Sequence, residues 1–183
     1  MSYLERVSSL TESKQTNEWF EWIRAIVIAV LLAFLLRTFI MSTSVVDGDS
    51  MYPVLEDGER ILFNKIIYNL SEPARGDIVI IQHLDKNYVK RIIGLPNETI
   101  EMRGHTLYID GEAQTTSFIR ASDERLTGDF GPIAIPENKY FVMGDNRAIS
   151  YDSRHELGFI DRTEIVGRSE FIIYPFKEME FTR

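Results

Sequence analysis

Cysteine is missing altogether from the 183 residues. Its absence excludes a disulfide scaffold, thiol catalysis, Cys-ligated zinc and iron–sulfur clusters. Glycine (11) and proline (6) stand at ordinary levels, so collagen-like and low-complexity readings fall away. Positive charge is in short supply. Lys and Arg total 20 against 28 for Asp and Glu, a formal net charge of −8. A general nucleic-acid binder needs a basic face to neutralise phosphates, so no nucleic-acid partner is expected. Histidines number only three and form no ligand pair, so neither a metal site nor another cofactor is expected. What is present is a 44% apolar share with 11% aromatics, enough to build a core. The length suits one domain of ordinary size, or a smaller one with an appendage.

One long apolar run stands out. Ala25–Leu36 reads AIVIAVLLAFLL, and Trp19, Phe20, Trp22 and Ile23 before it and Phe39, Ile40 and Met41 after it extend the run. As a helix, residues 19–41 would span about 34 Å, against a hydrocarbon core of about 30 Å. Glu21, Arg24 and Arg37 sit near its ends, where long side chains reach the headgroups, and Trp19 and Trp22 suit an interfacial belt. A buried core helix fits poorly, because the run is apolar all round. A cleaved signal peptide fits poorly too, because the leading segment carries several acids and Arg37 interrupts the approach to Ser42 and Ser44. The expectation is a retained single-pass anchor over 19–41, with the lipid bilayer as a partner. Arg6, Lys14 and Arg24 precede the span and Arg37 follows it. That bias puts residues 1–18 in the cytoplasm and residues 42–183 outside a cell membrane.

Beyond residue 42 the pattern turns to strands. The spacing predicts strands over 77–82 (DIVIIQ), 87–93 (NYVKRII), 98–102, 106–109, 139–143 (KYFVM) and 169–174 (SEFIIY), with a hairpin turn at Asp110-Gly111. Strands without long helices between them make antiparallel sheets, so 42–183 reads as a mostly-β domain. Residues 117–136, the least periodic stretch, read as an exposed loop.

Three clusters carry chemistry. Gly48-Asp49-Ser50-Met51-Tyr52-Pro53-Val54-Leu55 presents a serine on an irregular backbone; the plain alternative is a surface turn. Alternation along Tyr88–Ile93 puts Lys90 and Arg91 on opposite faces of one strand. One base is then set among apolar neighbours, either reaching out from an edge or desolvated enough to lose its proton near neutrality. Gly144–Arg154 (GDNRAISYDSR) crowds polar and charged side chains directly after a strand. It is either a solvated loop or a buttress in which Asp145, Asp152, Arg147 and Arg154 form ion pairs.

Together, and in this order behind one anchor, the boxes GDSMYPVL, YVKRIIGLP and GDNRAISYDSR resemble the type I signal peptidases, the membrane-bound serine proteases of bacteria. The resemblance runs from about Trp22 to Phe176, and the short chain looks like the Bacillus-type branch. It implies that Ser50 is the nucleophile and Lys90 the general base. It further implies that Ser150 hydrogen-bonds and orients the lysine, that Asp152 and Arg154 support the site, and that Asp145 and Arg147 are structural. Met51, Tyr88 and Val89 become candidate walls of shallow pockets for small substrate side chains. Signal-peptide-bearing preproteins become the expected partners; nothing fixes an oligomeric state.

The chain departs from the family at Val54, commonly Thr, and at Asn97-Glu98, commonly Gly-Asp. At Gly48 some members carry a hydroxyl for the oxyanion hole; here backbone N–H groups must serve, with Ser50 the expected donor.

The chemistry suits the residues. A serine hydroxyl is inert until a base takes its proton. Lys90 can do so only as the neutral amine, so its pKa must fall about two to three units from 10.4. His83, His105 and His155 are rival bases, His155 foremost. Two rival functions stand beside this reading. One is a Ser-Lys protease of the self-cleaving kind, the other a membrane-tethered domain that only binds peptides.

Overall fold

The computed structural model describes residues 3–35, 37, 40–114 and 127–182, with side chains from residue 18 onward. The chain divides into two units, residues 1–40 and 41–183.

The first unit is the helix α1, Tyr3–Leu35. Every side chain from Glu18 to Leu35 is exposed, the apolar ones included. Its apolar run from Ala25 to Leu35 is about 16 Å long at 1.5 Å per residue. Among the described residues no helix is long and apolar enough to cross a membrane. The expected span over 19–41 is also too long at its far end, because Met41 already pairs with Asn64 in a sheet. Residues 36, 38 and 39 lie outside the described set.

The second unit is mostly β and antiparallel. Its strands are β1 (Met41–Val45), β2 (Arg60–Asn64), β3 (Ile78–His83), β4 (Lys86–Gly94), β5 (Thr99–Arg103), β6 (Thr106–Ile109), β7 (Glu112–Ala113), β8 (Phe130–Ala134), β9 (Lys139–Met143), β10 (Ile160–Asp161) and β11 (Ile165–Tyr174). One helical turn, α2 (Ile67–Leu70), follows β2. The large sheet runs β1-β2-β11-β3-β4-β9-β10, and a smaller one runs β7-β6-β5-β8. The continuous apolar residues that mark β3 and the end of β4 follow from their burial on both faces in mid-sheet. One set of buried residues joins Val79, Ile81 and Ile92 to Tyr140 and Val142. A second joins Ile78 and Ile80 to Met51, Leu55, Ile61 and Phe63. A third links the small sheet, through Ile100, Met102 and Leu107, to Ile93, Phe141 and Met143.

Two departures from the predicted elements have physical causes. The stretch read as a loop over 117–136 contains the strand β8; Gly131 and Pro132 inside FGPIA hid it. Residues 115–126 of that stretch lie outside the described residues. The last strand begins at Ile165, not at 169, because bulges in its pairing with β2 and β3 break the period of two.

Candidate active site

The serine box is a loop with a closed neck. Val46 N–H donates to Glu59 O at 2.8 Å, and Gly58 N–H returns to Val46 O at 3.0 Å. Past the neck the chain takes φ +82° at Gly48, a left-handed conformation that glycine adopts freely. It then coils into a tight turn in which Val54 and Leu55 N–H both donate to Met51 O at 3.0 Å. Met51 and Leu55 are buried pegs in the second apolar set, so the turn is fixed by packing. Val54, where the family commonly has Thr, packs against the same set, and its methyl replaces a hydroxyl in apolar surroundings. Ser50 is thus held at half-burial with no acceptor for its own N–H among the described residues.

Lys90 reaches this serine from mid-β4. Its cross-strand partner is the fully buried Val79, and the lysine is only 3% exposed. Nζ lies 2.6 Å from Ser50 Oγ, hydrogen-bonded to it. Burial pushes the amine down from its ordinary 10.5 to about 8, against the fields of Asp152 and Asp145, which favour the charged form. A basic nitrogen at hydrogen-bond distance from a serine hydroxyl, half-neutral near pH 8, can take the proton that makes the hydroxyl a nucleophile.

The polar box leaves β9 at Gly144 and returns to it. Ser153 N–H donates to Val142 O at 3.1 Å, and Val142 N–H donates to Ser153 Oγ at 2.9 Å. Gly144 is required by close approach: a Cβ there would overlap Ser50 O, Ser150 Oγ and Ser150 Cβ. Its N–H donates to both Ser150 Oγ and Asp152 Oδ2 at 3.1 Å. Asn146 N–H donates to Ser50 O at 3.1 Å, which ties the box to the serine loop.

Asp152 is fully buried. Burial would raise its carboxyl, but the Arg154 guanidinium, the Gly144 N–H and the Ser150 hydroxyl outweigh it and hold the pKa below the usual range. Arg154 grips it with two hydrogen bonds of 2.9 Å and spends a third, of 2.8 Å, on Arg147 O. Asp145 is claimed by the other base of β4, Arg91, in a buried bidentate pair of 2.8 and 2.6 Å. Arg147 donates to Gly144 O and Thr127 Oγ1, and burial lowers its pKa to about 10.

One expectation is corrected here. Among the described residues no hydrogen bond joins Ser150 to Lys90; the Gly144 turn draws the Ser150 hydroxyl under its own N–H instead. At Gly48 the backbone N–H is taken up by Asp57 Oδ1 at 2.7 Å.

A groove of about 300 Å³ gathers Ser50, Lys90, Met51, Tyr88 and Val89 along its walls. Residues 44–49 and Asn87 line it too, with Ile149 and Tyr151 from the polar box. Tyr88 and Tyr151 rings stand 6.4 Å apart at its rim. None of the three histidines lines it. His83 pairs with Glu164 at 2.5 Å, His105 occupies the β5–β6 turn at φ +69°, and His155 Nδ1 lies 3.8 Å from Asp152 Oδ1. Among the described residues no group of three or more His, Asp or Glu is arranged to hold a metal ion.

Sequence reasoning missed Arg91 as the partner of Asp145, Asn146 as a tether of Ser50, and Ile149 and Tyr151 as groove walls. The crowding of polar groups in 144–154 signalled the second; the first depends on the register of β4 with β9, which the sequence does not show. The alternation of Ile149 and Tyr151 about the buried Ser150 was the available sign of the third.

An antiparallel β protein with a hydrogen-bonded serine–lysine pair in a groove is the class that fold and site define. The family described as signal peptidase, peptidase S26, matches residues 19–174, and the chain belongs to that family. It is 48% identical over 185 residues to signal peptidase I of Bacillus licheniformis, covering 94% of this chain and all of that one. Signal peptidase I S of Bacillus subtilis is 50% identical over 170 residues, 88% of this chain and 92% of its own. Signal peptidase IB of Staphylococcus aureus is 36% identical over 182 residues, 90% of this chain and 94% of its own. The likeness to the Bacillus relatives extends over most of both chains.

Proposed function

We propose that the protein is a serine endopeptidase that removes signal peptides from preproteins, with Ser50 as nucleophile and Lys90 as general base. The observation that carries the roles is the 2.6 Å contact between Ser50 Oγ and a lysine amine whose burial lowers its pKa to about 8. Neutral Lys90 takes the Ser50 proton as Oγ attacks the scissile carbonyl carbon, giving a tetrahedral oxyanion and an ammonium. The Ser50 N–H, without an acceptor among the described residues, is the backbone donor for that oxyanion. As the C–N bond breaks, Lys90 returns its proton to the leaving amine, which departs as the new N-terminus. The acyl ester on Ser50 is then cleaved by water, with Lys90 again accepting a proton and passing it to Ser50 Oγ.

The substrate binds as an added strand. Residues 86–90 of β4 pair with β3 on one side only, since pairing with β9 starts at Arg91. An extended peptide in the groove finds there an unpaired backbone edge, with Met51, Tyr88 and Val89 meeting its small side chains. Asp152, Arg154 and Asp145 support the site, and Ser150 does so by holding the Gly144 turn. The N-terminal segment is a membrane anchor with residues 1–18 cytoplasmic and the β unit outside. That reading rests on the sequence through residue 40 and on apolar side chains along α1 that no part of the chain covers.

The test is cleavage of a preprotein carrying an Ala-x-Ala segment by the detergent-solubilised full chain, wild type beside Ser50→Ala. Specific cleavage by the wild type and none by the variant is expected. Cleavage by Ser50→Ala, or none by a folded wild type, would leave a peptide-binding domain or another nucleophile.

A further inference from the structure

Gly48 stands two residues before Ser50 in a left-handed conformation, φ +82°. A Cβ at Gly48 would meet nothing within 4 Å, so the backbone angle, not space, asks for glycine. Glycine leaves such a point free to swing unless something holds it. The two backbone hydrogen bonds of the neck stop at Val46. The next fixed points are Asp49 O, which accepts Tyr52 N–H at 3.2 Å, and Ser50 O, which accepts Asn146 N–H at 3.1 Å. Between Val46 and Asp49 one side chain among the described residues holds the backbone: the Asp57 carboxylate, exposed and in no apolar set, accepts Gly48 N–H at 2.7 Å.

We propose that Asp57 is a positioning residue for the hydrolysis: by gripping Gly48 N–H it fixes the peptide that enters Gly48, the one stretch before Ser50 that the backbone bonds at Asp49 O and Ser50 O leave free, and so helps set the direction of the Ser50 hydroxyl and N–H. The proposal rests on Ser50 being the nucleophile. What matters is the acceptor oxygen, not its charge. An asparagine Oδ1 has the same reach and can accept the same hydrogen bond. An alanine leaves Gly48 free to rotate, and the reacting atoms lose alignment at small cost to folding.

The experiment measures kcat and KM separately on one preprotein for the full chain in detergent, comparing wild type, Asp57→Ala, Asp57→Asn and Ser50→Ala. Thermal unfolding of each is followed in parallel. Asp57→Ala is expected to lower kcat about 3- to 10-fold, the scale of one ordinary hydrogen bond lost at an exposed site, with KM within about two-fold. Its unfolding midpoint stays within about 3 °C of wild type, and Asp57→Asn regains most of the lost kcat. The proposal is overturned if Asp57→Ala turns over like wild type, if Asp57→Asn is as slow as Asp57→Ala, or if the loss falls on KM alone. It is equally overturned if the loss only follows the unfolded fraction. An active Ser50→Ala would instead remove the nucleophile on which the proposal stands, so the two failures are told apart.

Discussion

Lys90, at 3% exposure, has given up most of its hydration, and among the described residues no carboxylate sits within ion-pair distance to compensate it. Asp145 is engaged by Arg91 and Asp152 by Arg154, so their fields only soften the loss. The two aspartates therefore build a charged buttress around Lys90 without neutralising it, which leaves its amine near the range where a base works. Arginine at this position keeps the charge and most of the length but holds its proton above about pH 12. Lys90→Arg is accordingly expected to be about as inactive as Lys90→Ala, each at least about 1000-fold below wild type in kcat. Steady-state cleavage of one preprotein by all three decides it. An arginine variant with substantial turnover would make Lys90 an ion-pair partner only.

At the scale of elements, the β9 end and the box behind it work as one block. The Arg91–Asp145 pair crosses from β4 to this block with both side chains 5% exposed. Removing one member of such a pair leaves the other buried and unpaired. Asp145→Ala is expected to cost about 3–5 kcal/mol of stability, read as a lowered denaturation midpoint. Loss below about 1 kcal/mol would mean that the pair is not buried in solution. Asp152 adds a pH dependence of definite sign. Its folded pKa lies below the unfolded value, so its contribution is present above the usual carboxylate range and is lost as pH falls through that range.

Strands β3, β4 and β9 were legible because apolar residues run through them, and the three boxes were legible because their residue types are rare together. The strand β1, MSTSV, was not: its side chains are mostly polar, and its predecessor is an apolar run that swallowed Met41. The partner of Asp145 was also hidden. Alternation placed Arg91 on the face opposite Lys90, but only the β4–β9 register brings it to the box. Asn97 illustrates a departure that the backbone explains. It holds φ +68°, a value glycine takes freely and asparagine tolerates, while Glu98 pairs with Arg75.

The whole molecule joins a β unit with its own core to a helix whose apolar side chains between Trp19 and Leu35 are exposed, and water is a poor solvent for those side chains. If α1 and the residues after it anchor the chain, the protein stays with the membrane through alkaline carbonate washing. Added protease would then digest the β unit only from the outer side. Release by carbonate would contradict the anchor, and digestion only from the cytoplasmic side would reverse the proposed topology. The central claim, a serine activated by a desolvated lysine, is tested most directly by the pH profile of kcat/KM for the full chain in detergent. The account predicts a rise through a single transition near pH 8, the value to which burial brings Lys90, and the same transition in His155→Gln. A profile flat from about pH 5 to 9, or a transition near 6.5 that vanishes in His155→Gln, would contradict it.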